Sequence, residues 1–416
     1  MEKHIPEGYK QTEVGVIPVD WVVLDLEQAV DFLDGQRKPI RASDRNRMKG
    51  SFPYYGASGV IDFVNDYIFD ETLILLGEDG ENILSRSCRL AFLITGKTWI
   101  NNHAHVLRAK QNFDSYYLCE LLEALNYENY NTGTAQPKLN QQVCRKIKLA
   151  VANNLSEQIA IATALSDVDN LITSLEQLIE KKKAIKQGTM QELLTGKRRL
   201  KGFGEGKGYK QTELGMIPED WEVKRLHELG EFQSGIGFPL YLQGKHQEVI
   251  PFYKVSDMNN NGNEVLMLNS NNYISKKDLV KLRTTIVPRS SIVFAKIGAA
   301  LFLERKRILL VDSLIDNNMM AIIADIDNID VKYLYYLLMN TKFSKYANTT
   351  ALPSINRNDI GEIKFKIPSL HEQEAITQVL TNMDSEIEKL ESKVDKYKQI
   401  KQGMMQNLLT GRIRLV

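Results

Sequence analysis

The sequence predicts an α+β protein built as a pseudo-two-fold internal repeat. Two globular mixed α/β domains are separated by two long antiparallel coiled-coil helices. Three observations lead there. The segment GYKQTEVGVIPVDW, Gly8 to Trp21, returns as GYKQTELGMIPEDW, Gly208 to Trp221, with eleven of fourteen positions unchanged. A second segment, Leu155 to Lys197, returns from Leu370 to Arg412. What stands between these heads and tails differs in the two halves, apart from TAQPKLN at Thr134 to Asn140 against TALPSIN at Thr350 to Asn356. A period of about half the chain marks two pseudo-equivalent domains, where short periods would mark solenoids or propellers.

Taken in order, residues 1–154 and 208–369 are the two globular domains. TLILLGEDG, RLAFLITGK and TIVPRSSIVFAKIGAAL have strand-like apolar runs with glycine punctuation, whereas SYYLCELLEALNY and VKYLYYLLMNTKF have helical spacing. Residues 155–196 and 370–416 carry the coiled coil. Leu165, Val168, Ile172, Leu175 and Ile179 step by three and four, and Leu380, Met383, Ile387, Leu390 and Val394 repeat the pattern, continuing through Ile185 and Ile400. Each stripe is too narrow for a helix buried all round, so it needs a partner, and the other copy is the obvious one. The bland alternative is two helices packed separately on their own domains. Gly196 and Gly411 sit where a left-handed residue would close each helix. Residues 197–207, rich in Gly and Lys and without an apolar period, read as the linker. Repetition plus rod predicts a molecular ruler.

Composition narrows the class. The chain has 416 residues, 43% of them hydrophobic, enough for a core in each domain. No run of about 18 apolar residues could span a bilayer and the N-terminus lacks a signal-peptide stretch, so a cytoplasmic location is expected. Cys88, Cys119 and Cys144 are too scattered for a disulfide framework or zinc cluster and read as buried thiols. Net charge is only +1, but Arg37, Lys38, Arg41, Arg45, Arg47 and Lys49 cluster in one insert, and Lys276, Lys277, Lys281, Arg283, Arg289, Lys296, Arg305, Lys306 and Arg307 in the other. Charge runs are often solvated faces. Two of them, both within the variable inserts, point toward polyanion binding.

The search for catalysis finds decoys. Gly96, Lys97 and Thr98 imitate the end of a phosphate-binding loop, yet Ala91 stands where its first glycine belongs. Gly202, Gly204 and Gly206 lack the preceding strand of a dinucleotide fold. His103 and His105 alternate, as on one strand face, which permits a metal pair without an identifiable third ligand. A hydrogen-bonding role fits them better, and polar contact with DNA would use Asn101 and Asn102 equally well. Tyr54 and Tyr55, close behind the arginine cluster, offer stacking side chains, with at least one expected in the core. No nucleophile, base and orienter assemble from spacing.

The doubled GYKQTE.G.IP.DW, FPYYGASGVIDFV, NNHAHVL, SGIGFP, PFYKVSDMN, and tails with EQ and LLTGK or LLTGR together resemble the type I restriction-modification specificity subunit over nearly the whole chain. The resemblance implies that the inserts are target recognition domains, each reading half of a bipartite DNA sequence, and that the tail helices form the spacer. It implies two methyltransferase subunits docked on the frame, and motor-nuclease subunits joining for cleavage. S-adenosylmethionine, ATP and magnesium would then belong to those partners, with no cofactor in this chain. The lack of a Walker loop or methyltransferase motif agrees with a non-catalytic reader. Weighted by charge, Arg37, Lys38, Arg41, Arg45 and Arg47 are expected at one half-site, and Lys254, Ser256, Lys276, Lys281 and Lys296 at the other. Two other classes stay open: an enzyme carrying its own active site, and a coiled-coil scaffold that binds only proteins.

Overall fold

The computed structural model describes residues 5–133, 135–348 and 352–415. Thr134, Thr350 and Ala351 of the short echo lie outside them. The chain divides into two compact units, residues 1–178 with 390–416, and residues 179–389.

In the first unit the head folds as an antiparallel hairpin, Tyr9–Thr12 against Gly15–Pro18, with Tyr9 opposite Pro18. The strand Val22–Asp25 then pairs with Lys148–Val151, so the insert begins and ends on one two-stranded ladder. Inside it lies a four-stranded antiparallel sheet in the order Val30–Phe32, Ala104–Ala109, Leu73–Gly77, Ala91–Ile94. Leu73, Ile74, Leu75 and Leu76 are all buried, which is why that strand reads as a continuous apolar run rather than an alternating one. The helix Ser115–Ala124 covers the sheet with Tyr117, Leu118, Leu121 and Leu122, and Asp114 caps it by accepting from the Tyr117 amide at 2.8 Å. A second sheet, Gly59–Val64, Lys49–Gly56, Lys97–Ile100 and Phe69–Asp70, carries the arginine-rich region.

The second unit repeats this frame. Tyr209–Thr212 pairs with Gly215–Pro218, and Glu222–Arg225 with Lys364–Ile367. Its insert holds a five-stranded sheet ordered Gly230–Ser234, Met319–Ala324, Ile292–Ala295, Lys306–Leu309, Leu266–Met267, together with a three-stranded sheet. The helix Val331–Met339 has the same Asp cap, here Asp330 on the Tyr333 amide.

The two long helices are Leu155–Thr195 and Leu370–Leu408. They run antiparallel in both units. In the first, Lys401 reaches Asp169 at 2.6 Å and Lys398 reaches Glu176 at 2.8 Å; in the second, Lys182 reaches Glu386 at 2.7 Å and Lys186 pairs with Asp384. Of the predicted seam, Leu165, Ile172, Leu175, Ile179, Leu380, Ile387 and Val394 are buried, and Val168, Met383 and Leu390 half-buried. Ile185 and Ile400 do not continue it: they are 46% and 40% exposed. Beyond Ile179 the inward positions pass to Lys182 and Lys186, and beyond Val394 to Tyr397 and Lys401; the stems of the three lysines are partly or fully buried while their ammonium groups pair with acids of the facing helix.

What the repeated head and tail do is hold each unit shut. Trp21 is fully buried and its indole N–H donates to Glu157 at 3.2 Å; Trp221 donates to Glu372 at 3.1 Å. Arg414 pairs with Glu157 and Asp20, and Arg199 with Glu372 and Asp220. The Arg199 guanidinium holds the Asp220 carboxyl down to about 2. The next residue, Gln158 or Gln373, accepts from the Asp114 or Asp330 amide and donates to the Ala152 or Pro368 carbonyl. Gly196 and Gly411 close the helices at φ +71° and +69°, and a Cβ there would stand 2.7 and 2.5 Å from Pro218 and Pro18. The 197–207 segment is therefore not a free linker: Arg199 is clamped, and the Phe203 ring lies 5.2 Å from that of His371.

Candidate nucleic-acid interface

The basic region of the first unit separates into a buried ionic network and an exposed set. At its base, Asp34 receives the His105 ring at 2.7 Å, the Gln141 amide at 2.7 Å, the Val106 backbone N–H at 2.8 Å and Arg37 at 3.6 Å. The other ring nitrogen of His105 faces the Leu139 carbonyl at 2.8 Å, so both nitrogens donate and the ring is an imidazolium. Burial opposes that charge, but the Asp34 carboxylate, together with the Cys144 sulfur beside the ring, outweighs it and the His105 pKa is pushed up to about 10. Burial alone would raise Asp34, yet His105 and Arg37 hold it below the usual carboxylate range. Arg37 also pairs with Glu78 at 2.7 Å and donates to the Ala104 carbonyl.

His105 and Arg37 thus meet on one buried acid inside the domain. His103 does not share a strand face with His105. Asn101 accepts from the His103 amide at 2.8 Å, turning the chain before the strand begins at Ala104, so His103 is exposed beside Asp79 while His105 points inward. Asn101 is buried in that turn and Asn102 is exposed. No group of three His, Cys, Asp or Glu that could hold a metal ion occurs among the described residues. Cys119 and Cys144 are buried as expected, but Cys88 is exposed, in the irregular stretch between the short helix Asn82–Ser85 and the strand Ala91–Ile94, where the sheet does not cover it.

Tyr54 is the aromatic in the core. It is 1% exposed, its hydroxyl accepts from the Ile40 amide at 3.0 Å, and the Arg45 guanidinium lies 5.1 Å from its ring centre. Tyr55 is half-buried near Phe92. Arg45 and Lys49 both bind Asp62, whose carboxyl Lys49, with help from the Phe63 amide and Arg45, draws down to about 2. This leaves Lys38, Arg41 and Arg47 exposed around the short helix Ala42–Arg45, with no side-chain ion pair among the described residues. Ile61 and Phe63, 54% and 49% exposed on the outer strand, were not among the predicted residues. Their signal was an apolar density in GVIDFV too high for an edge strand facing only water.

In the second unit Lys276 and Lys281 are exposed on the helix Lys276–Leu282, capped by Ser275. Ser256 is exposed, while the neighbouring Asp257 is fully buried and holds the turn by accepting from the Lys254 amide at 2.7 Å. Lys254 reaches Gln243 at 3.4 Å. Lys296 is half-buried, donates to Ser234 at 3.2 Å, and is pushed down in pKa by burial. Lys306 and Arg307, part of the predicted basic run, are structural: Lys306 pairs with Glu304 at 2.6 Å and Arg307 donates to the Asn263 carbonyl. They lie on a central strand of the five-stranded sheet, where charge is tolerated only with partners. Tyr241, 69% exposed in the turn Leu240–Leu242, was missed because a loop aromatic carries no periodic mark.

Against known proteins, the chain matches the family described as type I restriction modification DNA specificity domain twice, over residues 18–187 and 218–400. The two matches begin two hundred residues apart, the period of the repeated head. It is 28% identical to the type I restriction enzyme MjaVIII specificity subunit of Methanocaldococcus jannaschii, across 100% of this chain and 98% of the relative. Its fold is similar to that of the type I restriction-modification S subunit from M. genitalium, with a TM-score of 0.58, 14% identity, and 93% and 96% of the two chains covered. It is similar as well to a chain from a structure of type I restriction-modification complex assembly, with a TM-score of 0.54, 12% identity, and 95% and 99% coverage. With both halves matched and the repeated frame accounted for, the chain belongs to the family of type I restriction-modification specificity subunits.

Proposed function

We propose that this chain reads an asymmetric, bipartite double-stranded DNA target, one half-site per insert. In this reading the long helices set the gap between half-sites and dock two methyltransferase subunits. The observation that carries it is a duplicated frame bearing two dissimilar inserts, each with exposed cations: Lys38, Arg41 and Arg47 in one, Lys276, Lys277 and Lys281 in the other. Identical readers on a two-fold frame would call for a palindrome, and dissimilar ones for two different half-sites. Arg37, Arg45, Tyr54, Asn101 and His105 then shape the first reader from within, while Asn102, His103, Tyr55 and the exposed cations face the duplex. In the second, Ser256, Lys254 and Lys296 stand with the exposed lysines.

The chain acts without its own chemistry in this reading. Methylation and cleavage reside in the methyltransferase and motor-nuclease subunits, which use S-adenosylmethionine, ATP and magnesium in the cytoplasm. Docking is supported by apolar residues that the helix pairing leaves open in the first unit: Leu171 and Leu178, seven residues apart on the first long helix, are each more than a third exposed. The DNA reading is tested by replacing Lys38, Arg41 and Arg47 with Gln and titrating duplex DNA by filter binding across a salt series. The slope of log affinity on log salt should flatten by roughly 0.9 for each phosphate that is no longer neutralised. An unchanged slope removes this cluster from the interface.

A further inference from the structure

A cleft of about 390 Å³ opens in the second unit between the end of the first long helix, the closing strand Lys364–Ile367 and the turn after the helix Val331–Met339. Its size is that of a small-ligand site. Lys342, Lys345, Lys364 and Lys366 line it, with Asn340 and Tyr346 among the other walls, and no carboxylate does. Among the described residues only Lys364 of these four has an acid, Glu213. Lys366 donates to the Met216 carbonyl at 3.1 Å, and Lys342 and Lys345 have no side-chain partner among the described residues.

The internal repeat supplies a control. From Asp114 and Asp330 to Val151 and Ile367 the two halves align without a gap, at a constant offset of 216 (330 − 114 and 367 − 151). At that offset Lys342, Lys345 and Lys366 stand where the first unit has Asn126, Asn129 and Ala150. The one lysine kept is Lys148, and it is neutralised by Asp25 at 3.1 Å and Glu13 at 3.5 Å. The frame therefore folds without the other three lysines, and their presence in one copy is not a requirement of packing. Burial and the neighbouring Lys197 push the Lys366 pKa down, a cost that an anion in the cleft would relieve.

We infer that this cleft is a binding site for phosphate groups, apart from the basic clusters of the inserts. Lysine ammonium groups bind phosphate as point charges. The phosphates have two possible sources, a free oligophosphate or the backbone of duplex DNA, and the second source rests on the DNA-reading function proposed above.

The test uses the full chain with sodium tripolyphosphate as probe, in calorimetric titrations at fixed low ionic strength. A variant carrying the first unit's own residues, Lys342→Asn, Lys345→Asn and Lys366→Ala, should lose roughly tenfold or more in affinity. A control that removes equal charge elsewhere, Lys201→Ala, Lys332→Ala and Lys389→Ala, should keep it. On the unaltered chain, tripolyphosphate should protect Lys342 and Lys345 from acetylation, a readout independent of how the variant folds. If the source is duplex DNA, the cleft variant also flattens the salt dependence of DNA binding relative to the control. If it is a free oligophosphate, that slope is unchanged and the tripolyphosphate arm stands even if DNA reading fails. The inference is overturned if cleft and control variants lose tripolyphosphate equally, or if it neither binds nor protects the two lysines. Protection by hexaglutamate and not by tripolyphosphate would overturn it too, making the cleft a seat for an acidic protein segment.

Discussion

In the first unit His105 is a buried cation held between the Asp34 carboxylate and the Leu139 carbonyl. Its residue type in NNHAHV marks a polar contact, and the structure puts that contact on Asp34, inside the first unit. Replacing His105 with Ala should destabilise this unit by about 2–4 kcal/mol, because a buried carboxylate loses its main counter-charge while the Gln141 and Val106 donors remain. The unfolding midpoint of the variant against the parent measures it. With the imidazolium pKa at about 10 in the folded chain, above the ordinary 6.5, the stabilising proton is held more tightly when folded. That contribution is complete below pH 6.5 and fades as pH rises toward 10. The gap between parent and variant should therefore narrow over that window, and a gap that widened with pH would show a neutral ring.

At the scale of elements, each long helix carries a buried apolar stripe, and within each unit ion pairs join one helix to the other. Partners across the pair have residue numbers summing to about 570, as 169 with 401 and 186 with 384. A four-residue insertion in one helix alone would break that register. Matched insertions after Ile179 and after Leu390 preserve it, and a four-residue step keeps the apolar stripe nearly in phase. Each adds about 6 Å of helix. If the helices set the gap, the complete methylating system should shift to targets whose unspecified gap is longer by roughly one to two base pairs, at about 3.4 Å each, with both half-sites unchanged. Methylome sequencing reads this directly. A well-folded variant that still methylates only the parental spacing would reduce the helices to a docking surface.

For the whole molecule, the ladder between Val22–Asp25 and Lys148–Val151 marks where the first insert can be exchanged. Replacing residues 26–147 with the matching insert of a relative leaves the ladder, Trp21, Glu157 and Arg414 in place. One half-site of the methylated sequence should change and the other persist. A change in both at once would refute independent readers.

The duplication, the helical seam and the closing glycines were legible in the sequence because they rest on local rules: identity at a fixed offset, a 3.5-residue period, a left-handed cap. The clamp was legible only in part. The echo runs beyond Gly196 and Gly411 to Arg199-Leu200 and Arg414-Leu415, yet nothing local says that each arginine meets a glutamate at the start of the other long helix and an aspartate beside a tryptophan. Which charges face solvent was not legible at all. Arg37, Arg45, Lys306 and Arg307 look like Arg41, Arg47, Lys276 and Lys281 in composition, and what separates them is an acid or carbonyl brought from far along the chain. Sequence alone determined the frame and its repetition. Only the tertiary structure decided which cations are committed to the interior, because a charge's partners depend on long-range contacts that no local period encodes.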